Sequence, residues 1–166
     1  MVRVEFNLEM ENLRGSVVAM ASMADKAIGR AMDALQHQDV ALAEQVLIGD
    51  KAINRQRWAI EDDALRLIAT QGPMAGDLRN IASAFQIVTD LERIADHAAG
   101  IAKIAIDTSN EPPLKPLVDL PRMAEIAREM LSDSITSYIE GHADLARRVA
   151  LRDDEVDDLA DQVFRE

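Results

Sequence analysis

Apolar residues recur along most of this chain at steps of three and four, the spacing that gathers them on one side of an α-helix. Breaks in this pattern divide it into five predicted helices, at about residues 7–37, 40–70, 74–108, 122–140 and from 143 to the end. Residues 109–121, which hold four of the five prolines, are predicted to be a linker. Long helices with short connections predict an all-α fold of antiparallel bundles, and the breaks argue against a continuous coiled-coil rod.

The composition agrees with helices and narrows the classes of function. Apolar residues make up 48% of the chain and aromatic residues only 3%, so alanine, leucine, isoleucine and methionine supply the core. A net charge of −12 argues against unaided binding to nucleic acid or to an anionic membrane. The chain has no cysteine, and no apolar run is long enough for a signal peptide or a membrane span. We therefore expect a cytoplasmic protein that is not embedded in a membrane.

A weak internal repeat organises the chain. A shift of 103 residues aligns AMASMADKAI with RMAEIAREML, and ALAEQVLIGDKAIN with DLARRVALRDDEVD. The predicted domains are a first three-helix repeat at residues 1–109, a proline-rich linker at 110–121, and two helices of a second, truncated repeat at 122–166.

The truncated repeat predicts self-association. Without a third helix, it would leave apolar side chains of its two helices uncovered, namely Met123, Ile126, Met130, Leu145 and Val149. We expect another chain to cover them, which gives a homodimer or a higher homo-oligomer.

Acidic residues recur beside the apolar stripes of successive helices. Glu92 and Asp96 stand four residues apart, where two carboxylates repel by a few tenths of a kcal/mol, and Asp153 and Asp157 repeat this spacing. Asp50 occupies the matching flank of the second helix. Carboxylates that converge from neighbouring helices suit oxygen-binding cations, so these five residues are candidate metal ligands.

A solvated acidic surface is the competing interpretation of the same residues. Arg57 and Lys103 lie close enough in sequence to neutralise the acids of their own helices. Asn54 also interrupts the pair that Asp50 would otherwise complete.

No catalytic constellation is visible in the sequence. None of His37, His97 and His142 follows a glutamate by three residues, which argues against a ferritin-like di-iron centre. Neither a Ser-His-Asp set nor a glycine-rich nucleotide-binding loop can be identified. Trp58 and Tyr138 are predicted to be packing residues. We expect a protein that is not an enzyme.

Two segments contain distinctive motifs, QGPMAGDLR at residues 71–79 and TDLERIADHAAGIAK at residues 89–103. The first is similar to the Pro-x-Ala-x-Asp-Leu-Arg pattern, and the second to the Leu-Glu-Arg-Ile-Gly-Asp pattern, of the PhoU family of phosphate-uptake regulators, with Ala95 in place of glycine. The resemblance implies two tandem three-helix bundles. It also implies metal clusters at Glu/Asp-x-x-x-Asp motifs, carried here by the two acidic pairs and, incompletely, by Asp50. The candidate ions at these carboxylates are Fe, Zn, Mn and Mg.

The same resemblance implies a cytoplasmic adaptor. Members of the family connect the phosphate-specific ABC transporter to a sensor histidine kinase and keep the phosphate-starvation response off when phosphate is plentiful. Two alternatives remain open from the residues alone: a carboxylate metal-binding bundle, acting as a metal store or metalloenzyme, and a purely structural helical oligomer.

Overall fold

The computed structural model describes residues 2–112 and 116–165, and every regular element in these ranges is an α-helix. The helices are α1 Val2–His37, α2 Val40–Gln71, α3 Ala75–Asp107, α4 Asp119–Glu140, α5 Ala143–Leu151 and α6 Asp153–Arg165. The predicted all-α fold is confirmed. Helices α1, α2 and α3 pack against one another, whereas α4 packs on α1, α5 and α6.

The core of the first bundle is built from the predicted apolar stripes. Its largest fully buried side chains are Val17 and Met20 of α1, Ile60 of α2, and Ile81, Val88 and Leu91 of α3. Burial of each such side chain stabilises the fold by roughly 1.5–3 kcal/mol. Farther along α3 the buried stripe consists of alanines, at Ala95, Ala98, Ala102 and Ala105. Small side chains there let the backbones of neighbouring helices approach closely.

Local sequence explains where α2 begins and ends. The Asp39 side chain caps its first turn by accepting a hydrogen bond of 3.0 Å from the backbone N–H of Leu42. Gly72 ends the helix with a positive φ of 53°, a conformation that glycine adopts without steric cost. Pro73 follows and cannot continue the helical hydrogen bonds.

The second half of the chain departs from the predicted helix boundaries. Helix α4 begins at Asp119, three residues before its predicted start, because Pro121 is tolerated in a first turn, where backbone N–H groups lack helical partners. The prediction of a single helix from residue 143 onward is wrong, because the helix is interrupted at Arg152 and forms α5 and α6. The Arg152 side chain binds Glu129 of α4 at 2.7 Å, and Asp153 opens α6 with an acidic first turn that favours a helix N-terminus.

One ion pair joins the two halves of the chain. Arg128 of α4 donates to both carboxylate oxygens of Asp25 on α1, at 2.8 and 3.0 Å. The two residues lie 103 positions apart, which is the offset of the sequence repeat. Gly29 makes room for the guanidinium, because a Cβ at that position would lie 3.3 Å from the Cζ of Arg128. Equivalent positions of the two repeats therefore meet where α1 packs on α4.

We expect Arg128→Met to lower the free energy of unfolding by about 0.5–1 kcal/mol, because it removes a bidentate but partly exposed ion pair between α1 and α4. Urea denaturation would measure the change. Arg147→Met is the matched control, since Arg147 pairs with Asp144 within the same short helix and both side chains are exposed. An equal loss in the two variants would contradict a special role for Arg128.

Candidate functional site

The antiparallel packing of α2 on α3 brings predicted acidic residues together across the two helices. Asp50 of α2 lies near enough to Asp96 of α3 for their charges to interact, and Lys103 lies within electrostatic range on the same side. One turn before Asp96, Glu92 faces Arg57 of α2. The α2–α3 acid face, defined as Asp50, Glu92 and Asp96, thus unites three of the five candidate ligands.

Asp50 is the electrostatically strained member of this face. Its Oδ1 is buried and has no hydrogen-bond partner among the described residues. Burial raises the pKa of the Asp50 carboxyl, the Asp96 carboxylate raises it further, and Lys103 acts in the opposite direction. A buried carboxylate oxygen without a partner is costly unless a proton or a cation compensates its charge.

Glu92 is neutralised by the protein itself. Its Oε2 lies 3.3 Å from Nη1 of Arg57, and Nε of the same guanidinium donates to Glu61 at 2.9 Å. These contacts raise the pKa of Arg57, chiefly through the hydrogen bond that Arg57 donates to Glu61, so the guanidinium remains charged. Of the two cations considered from the sequence, Arg57 pairs across helices with Glu92, and Lys103 contributes a weaker field at Asp50.

Asp153 and Asp157 lie apart from the α2–α3 acid face. Both are exposed on α6, a helix that packs on α4 and α5 within the described chain. Across residues 2–112 and 116–165, no group of three or more histidine, aspartate or glutamate side chains is arranged to hold a metal ion. Asp50 and Asp96 lie near enough for their charges to interact, whereas Glu92 is already engaged in its ion pair with Arg57.

An apolar groove of about 390 Å³ lies between α3 and the second half of the chain. Ile87 and Ile94 of α3 form one wall, and Met130, Ile135 and Tyr138 of α4 form the other. Of the five positions expected to be uncovered, Met130 and Val149 border this groove. The expectation is wrong for Ile126 and Val149, which are buried within the chain because α4 packs against α1, α5 and α6.

Trp58 differs from its predicted role as a packing residue. Its side chain is 63% exposed on the outer face of α2, where the Arg57 guanidinium carbon lies 5.5 Å from the ring centroid. A helical wheel could have revealed this position, because Trp58 is about 200° from buried Ile60 on the same helix. Tyr138, in contrast, is half-buried at the groove.

Comparison with known proteins identifies the family. The family model described as the PhoU domain matches residues 17–105 and 120–166. The chain belongs to the PhoU family. It is 44% identical to a phosphate-specific transport system accessory protein PhoU homolog of Aquifex aeolicus, over 95% of this chain and 72% of that protein. It is 31% identical to PhoU of Escherichia coli, over 98% of this chain and 67% of that protein.

Solved PhoU structures have the same helical arrangement. The crystal structure of PhoU from Pseudomonas aeruginosa matches with a TM-score of 0.91 and 33% identity, over 96% of this chain and 77% of that one. The phosphate transport system regulatory protein PhoU from Streptococcus pneumoniae matches with a TM-score of 0.86 and 30% identity, over 93% and 72% of the respective chains. Among the described residues of this PhoU-family chain, no helix has the length and apolarity needed to cross a membrane.

We expect Asp50→Asn to raise the melting temperature at neutral pH by about 1–2 °C, because it removes a charge that burial and Asp96 disfavour. The pKa of Asp50 is raised in the folded state, so its ionisation costs stability above that pKa. The cost, and with it the gain from asparagine, disappears as the pH falls toward the ordinary value of 3.8.

Thermal unfolding across a pH series, with a chelator present, would measure this difference. Glu11→Gln is the control, because Glu11 is an exposed acid on α1 outside the α2–α3 acid face. A pH-independent effect of Asp50→Asn would contradict the assignment.

Proposed function

We propose that this protein is an accessory regulator of phosphate-specific transport that acts as a cytoplasmic adaptor. In this role it connects the phosphate ABC transporter to a sensor histidine kinase and represses the phosphate-starvation response when phosphate is plentiful. The observation that carries the proposal is the similarity, over nearly the whole chain, to proteins named as phosphate-specific transport system accessory proteins. The solved relative from Streptococcus pneumoniae, titled a regulatory protein of the phosphate transport system, supports the regulatory part.

The shape of the molecule suits contact with more than one protein. Helices α1, α2 and α3 each run for more than 30 residues, so each presents a long outer face beside its buried stripe. The α2–α3 acid face and the apolar groove lie on different parts of the surface and differ in chemistry. A basic partner surface suits the first, and an apolar helix or loop suits the second.

We further propose that a divalent cation binds at the α2–α3 acid face. Asp50 and Asp96 would hold it, and Glu92 would join after release from Arg57. Fe, Zn, Mn and Mg are candidates because oxygen donors serve all four, although carboxylates do not discriminate sharply among them. A bound cation would convert the repulsion between the facing carboxylates into attraction and so stiffen the contact of α2 with α3. Asp153 and Asp157 form a weaker candidate site of two exposed carboxylates.

Self-association through the apolar groove is the remaining part of the proposal. Its walls carry partly exposed apolar side chains, Ile87 and Ile94 on α3 and Met130 and Ile135 on α4, and apolar surface of this kind is stabilised when another chain covers it. A homodimer or higher homo-oligomer would remove the groove from water.

The adaptor role predicts binding to both partners from the source organism. We expect the purified protein to be retained by the cytoplasmic assembly of the phosphate transporter and by the cytoplasmic part of the sensor kinase, each immobilised separately. An acidic helical bundle of unrelated sequence is the control for charge and shape. Retention by neither partner would overturn the adaptor proposal, whereas retention by one alone would restrict it to that partner.

The metal proposal predicts that Glu92→Gln/Asp96→Asn weakens cation binding about tenfold or more, because it removes two charged oxygen donors. Elemental analysis followed by calorimetric titration of each metal would measure this. Glu11→Gln/Glu44→Gln is the matched control, since it removes the same charge from exposed acids of α1 and α2. Equal binding by both double variants would place the cation elsewhere. Loss only in Asp153→Asn/Asp157→Asn would assign it to α6.

A further inference from the structure

The outer face of α2 carries a row of exposed side chains that neither α1 nor α3 covers. The members alternate at steps of three and four residues, the spacing of a seam between two packed helices. They are Ile48, Lys51, Arg55, Trp58, Asp62 and Leu65, and all six are exposed. The large apolar members, Ile48, Trp58 and Leu65, remain 70%, 63% and 57% exposed. We call these six residues the α2 seam.

The order of residues in the α2 seam is self-complementary. Its centre lies between residues 56 and 57, and each member has a counterpart at the same distance on the other side. Ile48 corresponds to Leu65, Lys51 to Asp62, and Arg55 to Trp58. Each pair is attractive: aliphatic with aliphatic, ammonium with carboxylate, and guanidinium with indole.

This order distinguishes an antiparallel partner from a parallel one. If a second α2 lay parallel and in register, Lys51 would face Lys51 and Asp62 would face Asp62. Like charges placed opposite each other disfavour an interface. A two-fold axis through the centre of the seam instead reverses the second helix and forms every complementary pair twice, as an isologous interface requires.

The charged members are available for such contacts. Lys51, Arg55 and Asp62 form no ion pair among the residues that the structure describes. Two cations and one anion give the seam a net charge of about +1 at neutral pH, within a chain of net charge −12. Two copies of an acidic protein therefore repel each other less at this face than at their average surface.

The Trp58 ring is preorganised for contact with a partner, because a neighbouring side chain holds it in place. The Arg57 guanidinium lies 5.5 Å from its centroid and is itself held by Glu61 at 2.9 Å. A ring already oriented in the free protein loses little conformational freedom on binding, and tryptophan and arginine are enriched where interfaces bind most strongly.

We propose that α2 docks on α2 of a second copy of this chain, antiparallel about a two-fold axis between residues 56 and 57. The contact extends over roughly 26 Å, from Ile48 to Leu65, at the helical rise per residue. It is a homodimer interface separate from the apolar groove between α3 and α4, and it depends on neither the metal nor the adaptor proposal. A single pair of helices buries a small area, so the dimer exchanges with monomer in solution.

Charge reversal at the α2 seam tests the proposal. Lys51→Asp and Asp62→Lys each place like charges in both symmetry-related contacts, so each is expected to weaken dimerisation about tenfold or more. The double variant Lys51→Asp/Asp62→Lys restores both pairs with their signs exchanged and is expected to recover the dimer. Sedimentation velocity over a wide concentration range would give the dissociation constants. Because Trp58 is the single tryptophan, a blue shift of its emission at high concentration would report burial at the seam.

Ile135→Glu in the groove is the control that separates the two candidate interfaces, and circular dichroism would verify the fold of every variant. The proposal predicts that Ile135→Glu leaves the charge-dependent dimer and the fluorescence shift unchanged. It is overturned if the wild type stays monomeric at every concentration, or if the double variant fails to recover association. It is equally overturned if Ile135→Glu abolishes the dimer while the Lys51 and Asp62 variants keep it.

Discussion

The close packing of α3 between α1 and α2 is the constraint on which the other features depend. Alanines at 95, 98, 102 and 105 present almost no bulk along the buried stripe of α3, so side chains beside the stripe are brought close as well. This is why Asp50 lies near enough to Asp96 for mutual repulsion and has a carboxylate oxygen removed from water. Bulkier residues at the alanine positions would separate the helices and leave Asp50, like the exposed Asp96, as an ordinary solvated charge.

The second half of the chain is attached by a different kind of contact. Helix α4 packs on α1 alone among the first three helices, and the Asp25–Arg128 pair marks their junction. Because α4 does not pack directly on α3, a space bounded by apolar side chains remains between them. The apolar groove is thus a direct result of how the two repeats are joined, and it faces away from the α2–α3 acid face.

Sequence periodicity predicted the helices well where a buried stripe continued without interruption. It failed at Arg152, where apolar residues stay in phase across the break and a contact with Glu129 on another helix accompanies the change of direction. The candidate acids were identifiable from their spacing, but their partners were not. Which carboxylate faces Arg57, and which loses its water, depends on the register of α2 against α3, and no local pattern encodes that register.

Exposure of Trp58 illustrates a second limit. A lone aromatic residue in a chain poor in aromatics suggests a core position from composition, whereas its angle from Ile60 on the helical wheel points outward. The wheel is the better guide, because helix geometry determines direction and composition does not. The same reasoning makes the α2 seam visible only after the neighbours of α2 are known, since an outward stripe has meaning only when nothing packs on it.

Arg57 connects the two faces of α2. Its guanidinium is shared between Glu92 on the inner side, Glu61 along the helix, and the Trp58 ring on the outer side. A ligand that draws Glu92 away changes the balance of charges that holds the indole, and a contact that fixes the indole changes how readily Glu92 is released. Binding equilibria linked through one residue are reciprocal, so each event alters the affinity of the other by the same factor. A single side chain, Arg57, thereby couples binding at the inner surface of this helix to binding at its outer surface.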